Sequence, residues 1–263
     1  MTRKKVGLAL SGGGARGFSH IGVLKVLAEH NIPVDLIAGT SAGSFVGGAL
    51  ASGLSPDKIE EIGNEIGWLN VLRPSFSLKG AFSNAPIGLY IKENFPVAKI
   101  EELKIPYAAV AYDLLNRELV VLKEGDLAIA IRASCTVPGL FTPVMDKHGR
   151  MLVDGGVVAP MPTDIVRAMG ADIVIGVDLL ACGASFHSKP RTTVGILFQS
   201  AMTLLRTASD AQATKPDITI EPEIAHLRPD QISKRIEFVR LGEDAARKNI
   251  DAIQELVRSI GST

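Results

Sequence analysis

Predominantly apolar runs alternate along the chain with segments whose apolar residues recur at helical spacing. Residues 6–10, 34–38 and 172–178 are such runs and predict strands buried on both faces, because a strand with one solvated face would alternate apolar and polar residues. Between the first two runs, a helix is predicted by the apolar side chains of Ile21, Val23, Leu24, Val26 and Leu27. The short connection at 31–33 then makes the second strand a parallel partner of the first.

The same alternation continues towards the C-terminus and predicts an α/β protein with a mostly parallel sheet. Further strands are predicted at 105–112, 118–122, 151–153 and 217–220, and further helices at 44–52, 55–67, 126–133, 193–209 and 231–260. The 263 residues suit one large domain over 1–263, closed by the helix 231–260, although the length also admits two small domains. No linker divides the chain, which favours the single domain.

Two segments allow more than one interpretation. Residues 68–96 lack a regular pattern and combine Pro, Gly, Ser and Asn with large apolar side chains, among them Trp68, Phe76, Phe82 and Phe95. This composition is typical of a mobile apolar flap over a site and equally of a loop with a short helix packed on the core. The broad apolar face of 193–209 favours a core helix, with a lipid-contacting surface as the alternative.

Composition and charge exclude several classes of function. The 28 basic and 28 acidic residues balance, so no overall field points to nucleic acid or to a basic partner. No run of 18 apolar residues could span a bilayer, and the apolar run behind the basic N-terminus is too short for a signal peptide. Cys135 and Cys182 are therefore predicted to be reduced thiols of a cytoplasmic protein. No pattern fixes the number of subunits.

A strand-to-helix junction at 37–45 carries the first chemical signal. Gly39, Ser41 and Gly43 form the pattern G-x-S-x-G of a nucleophile elbow, in which the glycines remove side chains that would collide with the strand and the helix. The following helix would direct the positive end of its dipole at Ser41 and at an oxyanion formed there. A simple turn of small residues fits the same five positions.

Two further glycine turns also follow predicted strands. The loop from Gly12 to Gly17 leaves the backbone N–H groups of Gly12, Gly13 and Gly14 unshielded, so that a carbonyl oxygen could approach them, and Arg16 could add charge or brace the loop. Because parallel sheets bind ligands at the carboxyl ends of their strands, this loop and Ser41 are expected to face each other.

Asp154 lies in the third turn, beside Gly155 and Gly156, and is the candidate base for the serine. A free aspartate is too acidic for this role, so the site would have to raise its pKa by desolvation. His226 is the alternative, because it completes the order Ser, Asp, His that α/β-hydrolases use for a triad. The other histidines (His20, His30, His148 and His187) are predicted to be packed or solvated.

A serine, a base and an oxyanion loop together predict acyl transfer, but the glycine loop and the fold also fit two other classes of function. The spacing of Gly12, Gly14 and Gly17 after a strand is also that of a dinucleotide fingerprint, but the second strand would then end in an acidic residue, whereas it ends in Gly39-Thr40-Ser41. A non-catalytic regulator that binds an acyl group could retain the same fold. The presence of both Ser41 and Asp154 argues against that regulator.

Taken in order, the motifs Gly12-Gly13-Gly14-Ala15-Arg16-Gly17, Gly39-Thr40-Ser41-Ala42-Gly43 and Asp154-Gly155-Gly156 resemble those of the patatin-like phospholipases, most closely the small bacterial members. The segment from Ala133 to Pro143 resembles the loop before the aspartate of that family. The chain differs from many members at Ser11, where they have an acidic residue, and at Ala159-Pro160, where an asparagine is common.

The resemblance implies a three-layer α/β/α fold and hydrolysis of a lipid or another acyl ester, with no cofactor and no metal. It implies that Ser41 is the nucleophile and Asp154 the base of a two-residue dyad. The oxyanion hole would be the loop that contains Gly12, Gly13, Gly14, Arg16 and Gly17. A lipid substrate would also bring the protein into peripheral contact with the inner face of a membrane.

Overall fold

The computed structural model describes residues 3–67, 71–75, 78–181, 193–212 and 214–258. Its α-helices are α1 (Phe18–Glu29), α2 (Ala42–Ala51), α3 (Pro56–Glu65), α4 (Ala85–Asn94), α5 (Leu127–Ser134), α6 (Thr163–Ala168), α7 (Thr193–Asp210) and α8 (Arg235–Arg258). Its strands are β1 (Val6–Leu10), β2 (Leu36–Thr40), β3 (Arg73–Pro74), β4 (Phe82–Ser83), β5 (Tyr107–Asp113), β6 (Glu118–Leu122), β7 (Val144–Met145), β8 (Met151–Asp154), β9 (Ile173–Val177) and β10 (Ile218–Ile220).

The central sheet is parallel over most of its width. Strands β10, β9, β1, β2 and β5 are neighbours in that order and all pair in parallel. Antiparallel strands complete it, because β6 and β8 both pair with β5, and β7 pairs with β8. Every residue of β1, β2 and β9 is buried, as expected of parallel strands covered on both faces.

Helices cover both faces of this sheet. Alternate residues of β1 point to opposite sides: Leu8 packs in the large core cluster that includes α1 and α8, whereas Ala9 packs in a second cluster with α6. The predicted three-layer α/β/α architecture is therefore confirmed. Two helix starts also follow their local signals, since the side chains of Ser55 and Asp126 accept N-cap hydrogen bonds from the backbone of α3 and α5.

The strands β2 and β8 meet end to end along one edge of β5. Residues 109–110 of β5 pair with both β2 and β6, and residues 111–113 pair with both β8 and β6, so β2 and β8 share the edge opposite β6. Thr40, the last residue of β2, pairs with Val110, and Asp154, the last residue of β8, pairs with Ala111. Because the two strands run in opposite directions, their carboxyl ends abut.

The segment predicted to be irregular includes the regular helix α4 among its described residues. In α4, Ile87, Tyr90 and Ile91 are buried, and Phe95 after it stacks edge-on against Phe45 of α2, with ring centroids 5.4 Å apart. These contacts match the interpretation of a short helix packed on the core. Residues 68–70 and 76–77 lie outside the described residues, and movement of the segment stays a prediction. No helix within the described ranges is long and apolar enough to cross a membrane.

Candidate active site

Ser41 forms the bend between β2 and α2. Its backbone angles are φ 53° and ψ −124°, a region that non-glycine residues occupy at a cost of about 1–3 kcal/mol. A side chain at Gly39 would collide with the backbone of Gly43, and one at Gly43 would collide with the carbonyl of Leu10. Both glycines are therefore required by close backbone approach, as in a nucleophile elbow.

Asp154 lies beside this bend at the end of β8. It is 2% exposed, and its Oδ1 accepts a hydrogen bond of 2.8 Å from the Gly156 N–H. Burial raises the pKa of this carboxyl from 3.8 to about 6, although its interactions with the Ser41 hydroxyl and the Gly156 N–H lower it. The other oxygen, Oδ2, has no partner at full hydrogen-bond geometry within the described residues. The contact between this carboxyl and the Ser41 hydroxyl is thus less well aligned than a full hydrogen bond.

The glycine loop packs against the elbow. Gly17 allows its closest approach, because a side chain there would collide with Ala42 at the start of α2. The Gly12 N–H donates to the carbonyl of Pro160 at 3.0 Å. The amides of Gly13 and Gly14 have no acceptor in the part of the chain that the structure describes. Two adjacent N–H groups thus remain available for a ligand oxygen.

Arg16 braces this loop against the segments that contain Leu179 and Leu227. Its side chain is 2% exposed. Its guanidinium donates to the carbonyl of Leu227 through Nε at 3.1 Å and through Nη2 at 3.0 Å, and to the carbonyl of Leu179 at 3.3 Å. Of the two roles considered from the sequence, these contacts match that of a brace. Ser11 also links the loop to Leu179, because its hydroxyl accepts a hydrogen bond of 2.9 Å from the Leu179 N–H.

No histidine of the described residues has a hydrogen bond to Ser41 or Asp154 among its contacts. The side chain of His226 is 53% exposed, and its Nε2 lies 3.2 Å from a carboxylate oxygen of Glu237 on α8. His20 is fully buried, with Nε2 2.8 Å from the Ser11 carbonyl, and burial lowers its pKa to about 4. His30 contacts its own helix through the Val26 carbonyl. His187, like Cys182, lies outside the described residues.

The turn from Ser134 to Thr136 contacts both site residues, a role that the resemblance of residues 133–143 to the family's loop did not assign to it. Ser134 Oγ accepts from the Ser41 N–H at 2.9 Å, and the Thr136 carbonyl accepts from the Asp154 N–H at 2.8 Å. The Cys135 thiol between them is partly buried, and burial and the nearby charge of Asp154 raise its pKa to about 12, which keeps it protonated at neutral pH. The resemblance pointed to this segment, but a hydroxyl residue at a helix end can bond to many partners, so no role of Ser134 could be assigned from the sequence.

Comparison with known proteins gives a family match over the part of the chain that holds the site. Residues 8–167 match the family model Patatin, described as patatin-like phospholipase. A stretch of 188 residues, 68% of the chain, is 39% identical to patatin-like phospholipase domain-containing protein 6 of Mus musculus. Over 200 residues, 72% of the chain, it is 39% identical to an uncharacterized NTE family protein of Mycobacterium bovis. The chain spans 14% of the mouse protein and 53% of the mycobacterial one.

Solved structures share the fold at low sequence identity. VipD from Legionella pneumophila superposes with a TM-score of 0.56 at 17% identity, over 95% of this chain and 67% of VipD. ExoU, in the heterodimeric ExoU–SpcU complex of the type III secretion system of Pseudomonas aeruginosa, gives a TM-score of 0.53 at 16% identity, over 95% of this chain and 52% of that chain. At this identity the likeness concerns the fold alone.

Proposed function

The chain belongs to the patatin-like phospholipase family, and from this membership and the geometry of its site we propose that it hydrolyses acyl esters of lipids through a Ser41–Asp154 dyad. The observation that carries the proposal is the meeting of β2 and β8 on β5, which brings a strained serine against a buried carboxylate. A pKa of about 6 gives Asp154 a basicity that a solvated aspartate lacks, so it is mostly ionised at neutral pH and can still accept a proton.

The reaction would proceed through an acyl-enzyme. Asp154 takes the hydroxyl proton of Ser41 as Oγ attacks the ester carbonyl, and the tetrahedral intermediate then expels the alcohol, which leaves with that proton. In the second half, Asp154 takes a proton from water as the water attacks the acyl-serine, and returns it to Ser41 as the free acid departs. The same carboxylate thus serves as base and acid in both halves.

The oxyanion of each intermediate would bind to the N–H groups of Gly13 and Gly14. Their amides have no acceptor in the described part of the chain, whereas the Gly12 N–H already donates to Pro160. The N-terminus of α2 adds a favourable field at Ser41. One such donor typically contributes about 3–4 kcal/mol to the stability of the transition state, so a pair of them can dominate the rate.

An apolar edge beside Asp154 supports a lipid as the substrate. Val157 and Val158 directly follow the aspartate turn and are 36% and 43% exposed. Leu205 of α7 packs over Gly156, while Leu204 and Ile196 of the same helix are exposed. We propose that this edge contacts a lipid surface, where exposed apolar side chains bind favourably.

The decisive experiment is labelling with a fluorophosphonate, which reacts with activated serines. We expect stoichiometric labelling of the intact protein and release of fatty acid from phosphatidylcholine vesicles. Ser41→Ala should abolish both. Ser52→Ala is the matched control, because it removes another buried serine hydroxyl, one that donates within α2 to the Ala49 carbonyl at 2.7 Å. An unlabelled wild-type protein, or labelling that persists in Ser41→Ala, would refute the proposed function.

A further inference from the structure

The backbone N–H of Ser41 is in a position where regular structure cannot pair it. The residue follows the last residue of β2 and precedes the first turn of α2, so neither the strand ladder nor the helix offers an acceptor. Ser41 is 8% exposed, and a buried N–H group must find a partner. It finds one in the hydroxyl of Ser134, the last residue of α5, at 2.9 Å.

The same short turn also holds the candidate base. The carbonyl of Thr136 accepts from the Asp154 N–H at 2.8 Å, two residues after Ser134. We call residues 134–136 the clip, because they join the ends of β2 and β8 at the point where these strands abut. The pairing of both strands with β5 sets their register, and the clip adds a direct link between the bend of one and the end of the other.

Asn84 fixes the clip in turn. Its Nδ2 donates to the Thr136 hydroxyl at 2.8 Å and to the Arg132 carbonyl at 2.9 Å, while its Oδ1 accepts from Arg132 Nε at 2.9 Å. Asn84 is completely buried and precedes α4, so the clip is held from the outside as well as through its own helix. Both the donor and the acceptor of the Asn84 side chain are paired, and such a network is rigid, which is what a positioning element requires.

We propose that Ser134 is a positioning residue for the acyl transfer proposed above, holding the Ser41 bend so that its Oγ faces Asp154 Oδ2. This inference rests on the proposed function. The contact of Ser134 is with the backbone of Ser41 and not with the reacting atoms, so Ser134 takes no part in proton transfer. Its loss would let the bend relax from its strained angles and turn Oγ away from the carboxylate.

The test is Ser134→Ala in the full chain, compared with Ser52→Ala. Misplacing a reacting group by about 1 Å can cost 100-fold in rate, so we expect kcat for ester hydrolysis to fall about 10- to 100-fold. KM should stay within about twofold, because Ser134 contacts no substrate. The rate of fluorophosphonate labelling should fall in parallel, and the apparent pKa of the pH–rate profile should not move. Ser52→Ala should leave all of these values near those of the wild type.

All rates are divided by the number of sites that the probe labels at saturation. A fraction of unfolded protein therefore does not lower the measured kcat. Ser134→Ala with a wild-type kcat would overturn the inference while leaving the proposed function intact. A rise in KM at constant kcat, or an equal loss in Ser52→Ala, would overturn it too. Failure of the wild-type protein itself to react with the probe would instead refute the proposed function.

Discussion

Replacement of Asp154 by asparagine should stabilise the protein at neutral pH while abolishing its activity. The carboxyl is buried, and its pKa is raised from 3.8 to about 6. A raised pKa means that the folded protein binds the proton more tightly than the unfolded chain does. The contribution of this group to stability is therefore fully present below pH 4 and is lost as pH rises through 6. Asparagine does not titrate, so the variant escapes this loss.

The size of the effect follows from the two pKa values. A tenfold difference in proton affinity corresponds to about 1.4 kcal/mol, so a rise from 3.8 to about 6 corresponds to about 3 kcal/mol. Asparagine can keep the 2.8 Å hydrogen bond from the Gly156 N–H through its Oδ1. Its amide group can donate to the Ser41 hydroxyl from the position of Oδ2. The free energy of unfolding of Asp154→Asn, relative to wild type, should thus increase by about 2 kcal/mol between pH 4 and pH 7, since part of the effect already lies below pH 4.

The measurement is urea denaturation of both proteins at several pH values from 4 to 8. Subtracting one curve from the other cancels every titration that the two proteins share. Asp113→Asn is the matched control, because burial of that carboxyl is outweighed by hydrogen bonds from Leu115, Met151 and Asn116, which lower its pKa. The difference in free energy of unfolding between Asp113→Asn and wild type should stay constant above pH 5. A constant difference for Asp154→Asn, or one that shrinks as pH rises, would show that Asp154 is not the desolvated carboxylate of our argument.

Three further predictions concern titration and the choice of base. The kcat/KM for ester hydrolysis should rise with pH around an apparent pKa of about 6, the value raised at Asp154 by burial, and a midpoint near 4 would contradict this. His226→Ala should retain most of the wild-type kcat, since His226 is half-exposed beside Glu237; a loss like that of Asp154→Asn would move the base to the histidine. Burial lowers the pKa of His20 from 6.5 to about 4, so the free energy of unfolding should fall by up to about 3 kcal/mol as pH drops through this range. His20→Gln can still donate to the Ser11 carbonyl but does not titrate, so its acid denaturation should show less of this fall.

Local patterns predicted the parallel strands of the sheet and all three glycine turns at the site. Apolar runs and helical periodicity identified β1, α1 and β2, because each lies within a short window of sequence. The glycines at 39 and 43 signalled the bend for the same reason. The residues alone left His226 open as an alternative base to Asp154, and the family resemblance implied the dyad. The distance between Ser41 and Asp154 depends on where two strands pair along a third.

The oxyanion donors, the role of Ser134 and the place of His226 depended on contacts between residues far apart in the chain. No pattern could show that the Gly12 amide is used by Pro160, which leaves Gly13 and Gly14 as the available donors. The role of Ser134 was hidden for the same reason, because a serine at a helix end has many possible partners and only the fold selects one. The order Ser, Asp, His likewise pointed to His226 although that histidine pairs with α8 instead.

The end-to-end meeting of β2 and β8 has a consequence for the newly synthesised chain. The first βαβ unit carries Ser41 and the glycine loop, but it holds no base. The bend and the loop also bond to later residues, Ser134 and Leu227 among them. Asp154 arrives only when β8 docks on the far end of β5 in the correct register, and a slip of one residue would turn its side chain to the opposite face of the sheet. On the mechanism proposed above, a chain that ends before β8 would thus hold the nucleophile without its base and would not hydrolyse an ester.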